Sequence, residues 1–266
     1  MSEMKLKIHN KKFEVLAASI PGVETSLVYT APYADGDFIL LETDEDCSFC
    51  VIQMDDAMLP ALVYTPGTRM AFHIPTPEQR SCYSPKYFSG CCHLIRARAA
   101  TPEEISARRN LAFNPYDSVH ETGCYPHVIS SVEAQSADFA ARNAVDGIFE
   151  NNSHGGWPYQ AWGINKDSSA VLKVDFGRRV TIDKLRITLR ADFPHDSWWT
   201  SVTVQFGNSD SEILTLKRTG RPQSFSITPR SIEWLELRDL KKAPDASEFP
   251  ALTQLEVFGT ECEPAR

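Results

Sequence analysis

Leu172-Lys173-Val174-Asp175-Phe176-Gly177-Arg178-Arg179-Val180-Thr181-Ile182-Asp183-Lys184-Leu185-Arg186-Ile187-Thr188-Leu189 carries the periodicity that decides the fold class. Apolar residues at 172, 174 and 176, and again at 185, 187 and 189, alternate with Lys, Asp, Arg and Thr. Successive side chains of a strand point to opposite faces, so each run buries one face and wets the other. The segment that follows, Arg190-Ala191-Asp192-Phe193-Pro194-His195-Asp196-Ser197-Trp198-Trp199, places an Arg, two Asp, a His and two adjacent Trp at the end of that strand. Charge, imidazole and indole in a loop held by a rigid strand point to binding. Two readings of the pair stand side by side. Trp198 and Trp199 form a ligand platform, or Trp199 opens the next strand as a core residue while Arg190 and Asp192 tie the loop down.

Working outward, the second half shows further strand patterns at 170–176, 201–206, 212–217, 224–228, 232–237 and 252–258, after a short helical turn at 137–144. With no helices between them they predict an antiparallel sandwich rather than βαβ units. The first half reads as β too, with runs at 26–30, 37–41, 50–54, 69–74 and 92–99 punctuated by Pro, Gly and Asp. A helix follows: Thr101 is a suitable N-cap, Pro102 fits the first turn, and Glu104 completes a capping box. Its pattern runs through Ile105, Arg108 and Leu111 and stops at Asn114-Pro115. The polar, Pro- and Gly-containing stretch from Phe113 to His127 reads as an interdomain connection. The expectation is an all-β chain of two β-sandwich domains, 1–125 and 126–266, with one short helix between them.

Composition narrows the function classes. The 266 residues are 42% hydrophobic and 23% charged, as in a soluble globular protein. A net charge of −8 speaks against a nucleic-acid footprint, and the basic pairs Arg178-Arg179 and Lys241-Lys242 are isolated. No apolar run reaches the ~18 residues of a membrane span, and the polar, basic segment 1–12 is not a secretory signal, so with Met1 as the native start a cytoplasmic location is expected. Seven cysteines, six of them before residue 125, fit free thiols in a reducing compartment. Cys47-x-x-Cys50 with Cys91-Cys92-His93 could instead hold zinc, although adjacent strand residues face opposite ways. Small buried hydrophobes are the plainer reading of the same cysteines. Asp55-Asp56, Arg69, His73, Tyr83, Tyr87 and His93 form no recognisable pattern.

Four pieces occur in order: Asn143-Ala144-Val145-Asp146-Gly147, Trp162, the central run from Leu172 to Ile187, and Gln254-Leu255-Glu256-Val257-Phe258-Gly259. Over roughly 128–262 the chain therefore resembles the discoidin or coagulation-factor type C domains and the related bacterial carbohydrate-binding modules. The resemblance implies a galactose-binding-like jelly roll. It also implies a structural calcium near the early turn, with carboxylates from Asp146 and Glu256 and carbonyls around Asn143 and Ile148. Calcium's need for six to eight oxygens agrees with such a set. The plainer reading is that Asp146 caps a turn and Glu256 is a surface residue.

Two loops then carry the function expected of this fold, His154-Gly155-Gly156-Trp157-Pro158-Tyr159-Gln160-Ala161-Trp162-Gly163 and 190–199. A pyranose needs a flat aromatic surface for its C–H face and planar polar groups for its hydroxyls. Trp157, Tyr159, Trp162, Trp198 and Trp199 could supply the first, and His154, Arg190, Asp192, His195 and Asp196 the second. Non-catalytic binding of a carbohydrate or glycoconjugate is the expected function. The alternatives are an enzyme on a sugar-like substrate with His195, Asp192 and Asp196 as acid–base groups, and an assembly module whose aromatic loops are buried in a homo-oligomer. No motif for an organic cofactor is present.

Overall fold

The computed structural model describes residues 3–46, 48–118, 122–152, 155–190, 192–193 and 195–262. Its strands build two hydrophobic cores. The first gathers apolar residues from Met4 to Cys124 and the second those from Leu111 to Val257.

Eight strands surround the first core: β1 (Met4–His9), β2 (Val15–Ala18), β3 (Glu24–Tyr29), β4 (Phe38–Thr43), β5 (Ser48–Gln53), β6 (Ala61–Thr65), β7 (Arg69–His73) and β8 (His93–Ala99). They form two antiparallel four-stranded sheets, ordered β2-β1-β4-β7 and β3-β8-β5-β6. β1 is a strand that the basic N-terminus conceals, for Met4, Leu6 and Ile8 are buried while Lys5 and Lys7 on the other face stay half-open.

The helix, α1 (Pro102–Ser106), has the expected capping box but spans only five residues. It does not continue through Arg108 and Leu111. Instead β9 (Arg109–Asn110) pairs with Gly259 and Phe258 of the last strand, and Leu111 enters the second core. Tertiary pairing and burial override a weak helical propensity here. The chain then serves both cores in turn, since Leu111 and Ala112 pack in the second while Tyr116 and Cys124 pack in the first.

The second sandwich uses β10 (His127–Ser130), β11 (Trp162–Gly163), β12 (Leu172–Leu189), β13 (Trp199–Phe206), β14 (Ser211–Thr215), β15 (Gln223–Lys242) and β16 (Ala251–Glu261). The two 3-10 turns Ala137–Phe139 and Ala141–Ala144 replace the single helical turn expected there. β12 joins the two runs read above into one strand whose neighbours change midway. Residues 172–175 pair with β10 and with 234–237 of β15, whereas 180–189 pair with β16 and with 223–232 of β15. Gly177 sits at the change with a φ of +65°, and a Cβ there would stand 2.4 Å from the Tyr125 ring. Only glycine fits that position. β13 and β14 extend the first ladder and β11 the second, giving an antiparallel jelly-roll sandwich around a core in which Trp162 and Trp199 meet at 6.0 Å.

The pairing of β5 with β8 sets Cys50 opposite Ala99, six residues from His93 and so ~20 Å along the strand. Cys50 and His93 are buried, Cys91 and Cys92 are exposed, and Cys47 lies outside the described residues. The zinc reading therefore fails for its described members, which never converge.

Candidate functional site

A cleft of about 460 Å³ opens at one end of the second sandwich, where four separate segments come together. Ala134, Gln135 and Phe139 line one side. Gly163, Ile164, Asn165 and Lys166, the turn after β11, line a second. Arg190, His195 and Asp196, from the loop after β12, line a third, and the run 248–251 leading into β16 closes it.

Local chemistry fixes each wall. Asn165 and Lys166 both have left-handed backbones (φ 47° and 62°), and Asp167 N–H donates to the Ile164 carbonyl at 2.9 Å. That is the tight turn with two positive φ values that joins antiparallel strands, and Asn is among the residues that tolerate it. The turn aims Lys166 across the cleft mouth, where its ammonium stands 2.6 Å from Glu248 and 4.9 Å from the centre of the Phe249 ring. Gln135 donates to the Asn165 side chain at 2.5 Å.

The 190–199 loop is bound to the chain before β16. Arg190 N–H donates to the Ala251 carbonyl at 3.0 Å, the Ser247 hydroxyl to the His195 carbonyl at 2.5 Å, and the Ser197 hydroxyl to Asp245 at 2.7 Å. Asp196 closes the loop on itself, accepting from Asp192 N–H at 2.8 Å and lying 3.2 Å from the Arg190 guanidinium. Arg190 and Asp196 are both buried, and the guanidinium lies over the rings of Phe139 and Tyr159. Burial pushes the Asp196 carboxyl above the usual carboxylate range, against the opposing pull of Arg190. Burial, followed by the Asp138 carboxylate it hydrogen-bonds, pushes the Tyr159 phenol up to about 12. His195 is exposed and stacks on Phe249, itself 49% exposed, at 6.0 Å and 11°.

The structure thus joins Arg190, His195 and Asp196 in one cleft, with Tyr159 behind the guanidinium, and removes several expected members. Trp199 (0% exposed) and Trp162 (1%) are core residues, because each starts a strand with its indole turned into the sandwich. Trp162 Nε1 donates to the Ser130 hydroxyl at 3.0 Å. Trp198 is half-buried against the same core and outside the cleft. Asp192 serves through its backbone and does not line the cleft. Trp157 lies elsewhere, in a small recess against Met58, Tyr83 and Tyr87 of the first sandwich. His154 lies outside the described residues. The aromatic surface is Phe249 with His195. Phe249-Pro250 directly before the last strand was the signal for it, as was the polar Asn165-Lys166 pair after Trp162-Gly163.

The residues of the early turn are already committed to partners other than the calcium that the resemblance implies. Glu256 is buried and committed to an ion pair with Arg186. Asn143 is buried, its amide donating to the carbonyls of Ala137 (2.9 Å) and Ala161 (3.2 Å). Asp146 accepts from Ile148 N–H at 2.8 Å, Gln160 at 3.1 Å and Gln254 at 2.6 Å. Burial pushes its carboxyl up to about 6, opposed by Arg142 and these donors. A ring of N–H donors around the one central carboxylate does not fit a cation that requires six to eight oxygens. Among the described residues, no three His, Cys, Asp or Glu side chains gather in a way that could hold a metal ion.

No family model matches the chain, and no curated protein matches it. Solved structures that overlay part of it include chitosan-binding module 1 of a chitosanase/glucanase from Paenibacillus sp. IK-5, with 18% identity, 56% of this chain and 98% of that one covered, and a TM-score of 0.38. A family 32 carbohydrate-binding module from C. perfringens NanJ in complex with galactose overlays with 16% identity, 49% and 91% covered, and a TM-score of 0.38. A fucose-binding module of Streptococcus pneumoniae does so with 15% identity, 57% and 98% covered, and a TM-score of 0.40.

Proposed function

We propose that the cleft binds a neutral pyranose unit of a carbohydrate or glycoconjugate without transforming it. One observation carries this reading: a stacked, solvent-facing His195–Phe249 pair stands beside two ion pairs, Arg190–Asp196 and Lys166–Glu248, in a single concave site. Its volume is within the ~300–1,000 Å³ usual for small-ligand pockets. The ring pair offers a flat apolar surface for sugar C–H bonds, and the neighbouring ions and the Gln135 and Asn165 amides offer hydrogen bonds to hydroxyls. Among the described residues, Lys166 and Arg190 in the cleft each already have an anion, so an uncharged ligand is favoured over a uronic or sialic acid.

The enzyme alternative is not favoured. Asp192 stays out of the cleft, and Asp196 is held by Arg190 and by Asp192 N–H rather than free to exchange a proton with a substrate. Screening a panel of neutral and anionic glycans for binding, with product analysis of each mixture, tests the proposal. Binding confined to neutral glycans, with the glycan recovered intact, is expected. A preference for acidic glycans, hydrolysis, or no binding across the panel would overturn it.

A further inference from the structure

Three segments of the second sandwich meet at one side-chain amide. Gln254, on β16 and 1% exposed, donates from Nε2 to the Asn143 carbonyl at 2.7 Å and to Asp146 Oδ1 at 2.6 Å. Both amide protons are thereby used. Its Oε1 accepts from Gly147 N–H at 3.1 Å. This fixes the orientation of the amide, because exchanging oxygen and nitrogen would set Oε1 against a carbonyl and a carboxylate and leave N–H facing N–H. Gln160 makes the matching contact on the other side, with Nε2 on Asp146 Oδ2 at 3.1 Å and Oε1 accepting from Tyr159 N–H at 3.1 Å. Asp146, Asn143, Gln160 and Gln254 are all buried.

A carbonyl and a carboxylate oxygen converging on one point, under a tight glycine turn, form the beginning of an oxygen shell that a divalent cation would complete with further oxygens. Here an uncharged N–H₂ group occupies that point. We infer that the Gln254 amide does the work a calcium ion would do at this turn, tying the Asn143 carbonyl to the Asp146 carboxylate, so that the second sandwich is built to stand without metal. The replacement is local and chemically minimal: a Glu at 254 would put an oxygen where the N–H₂ now lies, facing the Asp146 carboxylate and the Asn143 carbonyl with no proton between them. Such a cluster of oxygens is stable only with a shared proton or a cation among them, and at neutral pH a cation is the stronger partner. Glu256, the second carboxylate a metal site could have recruited, is neutralised by Arg186. The tie also reaches the first sandwich. Arg142, adjacent to Asn143 and donating to its side chain at 3.1 Å, donates to the carbonyls of Pro115 and Asp117 at 2.9 Å each and lies 4.3 Å above the Tyr83 ring.

The test compares the 266-residue chain with its Gln254→Glu variant by thermal unfolding and by isothermal titration with CaCl2. The parent is expected to melt at the same temperature in calcium and in EDTA and to show no stoichiometric calcium binding. Q254E is expected to melt lower in EDTA and to regain roughly 5–10 °C at saturating calcium, with one ion bound. Stoichiometric calcium binding by the parent would overturn the inference, and so would a folded Q254E with no response to calcium. The measurement on the parent stands even if Q254E does not fold. Neither readout involves a glycan, so the outcome is independent of the proposed sugar binding.

Discussion

His195 stacks parallel to Phe249, ring centroids 6.0 Å apart and planes within 11°, although the two residues are 54 positions apart in the chain (249 − 195). The stack exists because the loop after β12 is hydrogen-bonded to the segment before β16 through Ser247, Ser197 and Arg190. It converts two loops into one wall of the cleft and supplies the apolar surface that the tryptophans do not.

Phe249→Ala should therefore weaken glycan binding about tenfold or more, equivalent to ~1.4 kcal/mol, with little change in melting temperature because the ring is half exposed. Titration calorimetry beside a thermal melt checks both halves. Unchanged affinity would remove the ring from the site.

The tryptophans should behave in the opposite way. Trp162→Ala and Trp199→Ala each open a cavity in a closely packed core and should cost about 3–5 kcal/mol of stability, read from the midpoint of a denaturant titration. A variant at either position that kept its stability and lost glycan binding would restore the indole platform.

That reversal shows where the sequence was legible. Alternation exposed β12 and β13 because each buries one face, whereas β16, buried on both faces, showed through its apolar Leu252, Leu255 and Val257. The charges at the end of β12 pointed to Arg190, His195 and Asp196, since a loop held by a rigid strand is where binding groups gather. Trp162 misled, and Trp199 stayed open between platform and core, because an indole next to charges reads alike whether its ring turns inward or outward, and that direction is set by strand register. Phe249, Lys166, Asn165 and Gln135 went unseen because they reach the cleft from three other segments, brought together only when β11, β12 and β16 pair. β1 was concealed by lysines that proved to be its wet face, and the helix was over-extended because Leu111 has a tertiary partner.

Acid should weaken binding at a higher pH than an ordinary carboxylate would allow. Burial raises the folded Asp196 carboxyl above its usual value near ~3.9, so protonation starts earlier as pH falls and removes the anion that orients Arg190. Affinity measured against pH should fall on the acid side with an apparent midpoint above that value, and Asp196→Asn should bind weakly at every pH without that step. A wild-type profile that stayed flat into the ordinary carboxylate range would contradict this role for Asp196.

Arg142→Ala should loosen the junction of the two sandwiches. It leaves the Pro115 and Asp117 carbonyls and the Asn143 side chain without a buried donor, at a cost of about 3–5 kcal/mol. Calorimetry should show the two cores melting at separate temperatures. A single transition at the parent temperature would show that the guanidinium does not hold them together.

The central claim is that the glycan site is the cleft between 163–166, 190–196 and 248–251, and not the tryptophan loop. Backbone amide chemical shifts recorded during titration with a neutral glycan test it most directly. The account predicts saturable shifts at Gln135, Gly163, Asn165, His195, Phe249 and Ala251, while the indole signals of Trp157, Trp162 and Trp199 stay in place. Shifts centred on Trp157 and its neighbours, with the cleft amides unmoved, would contradict it.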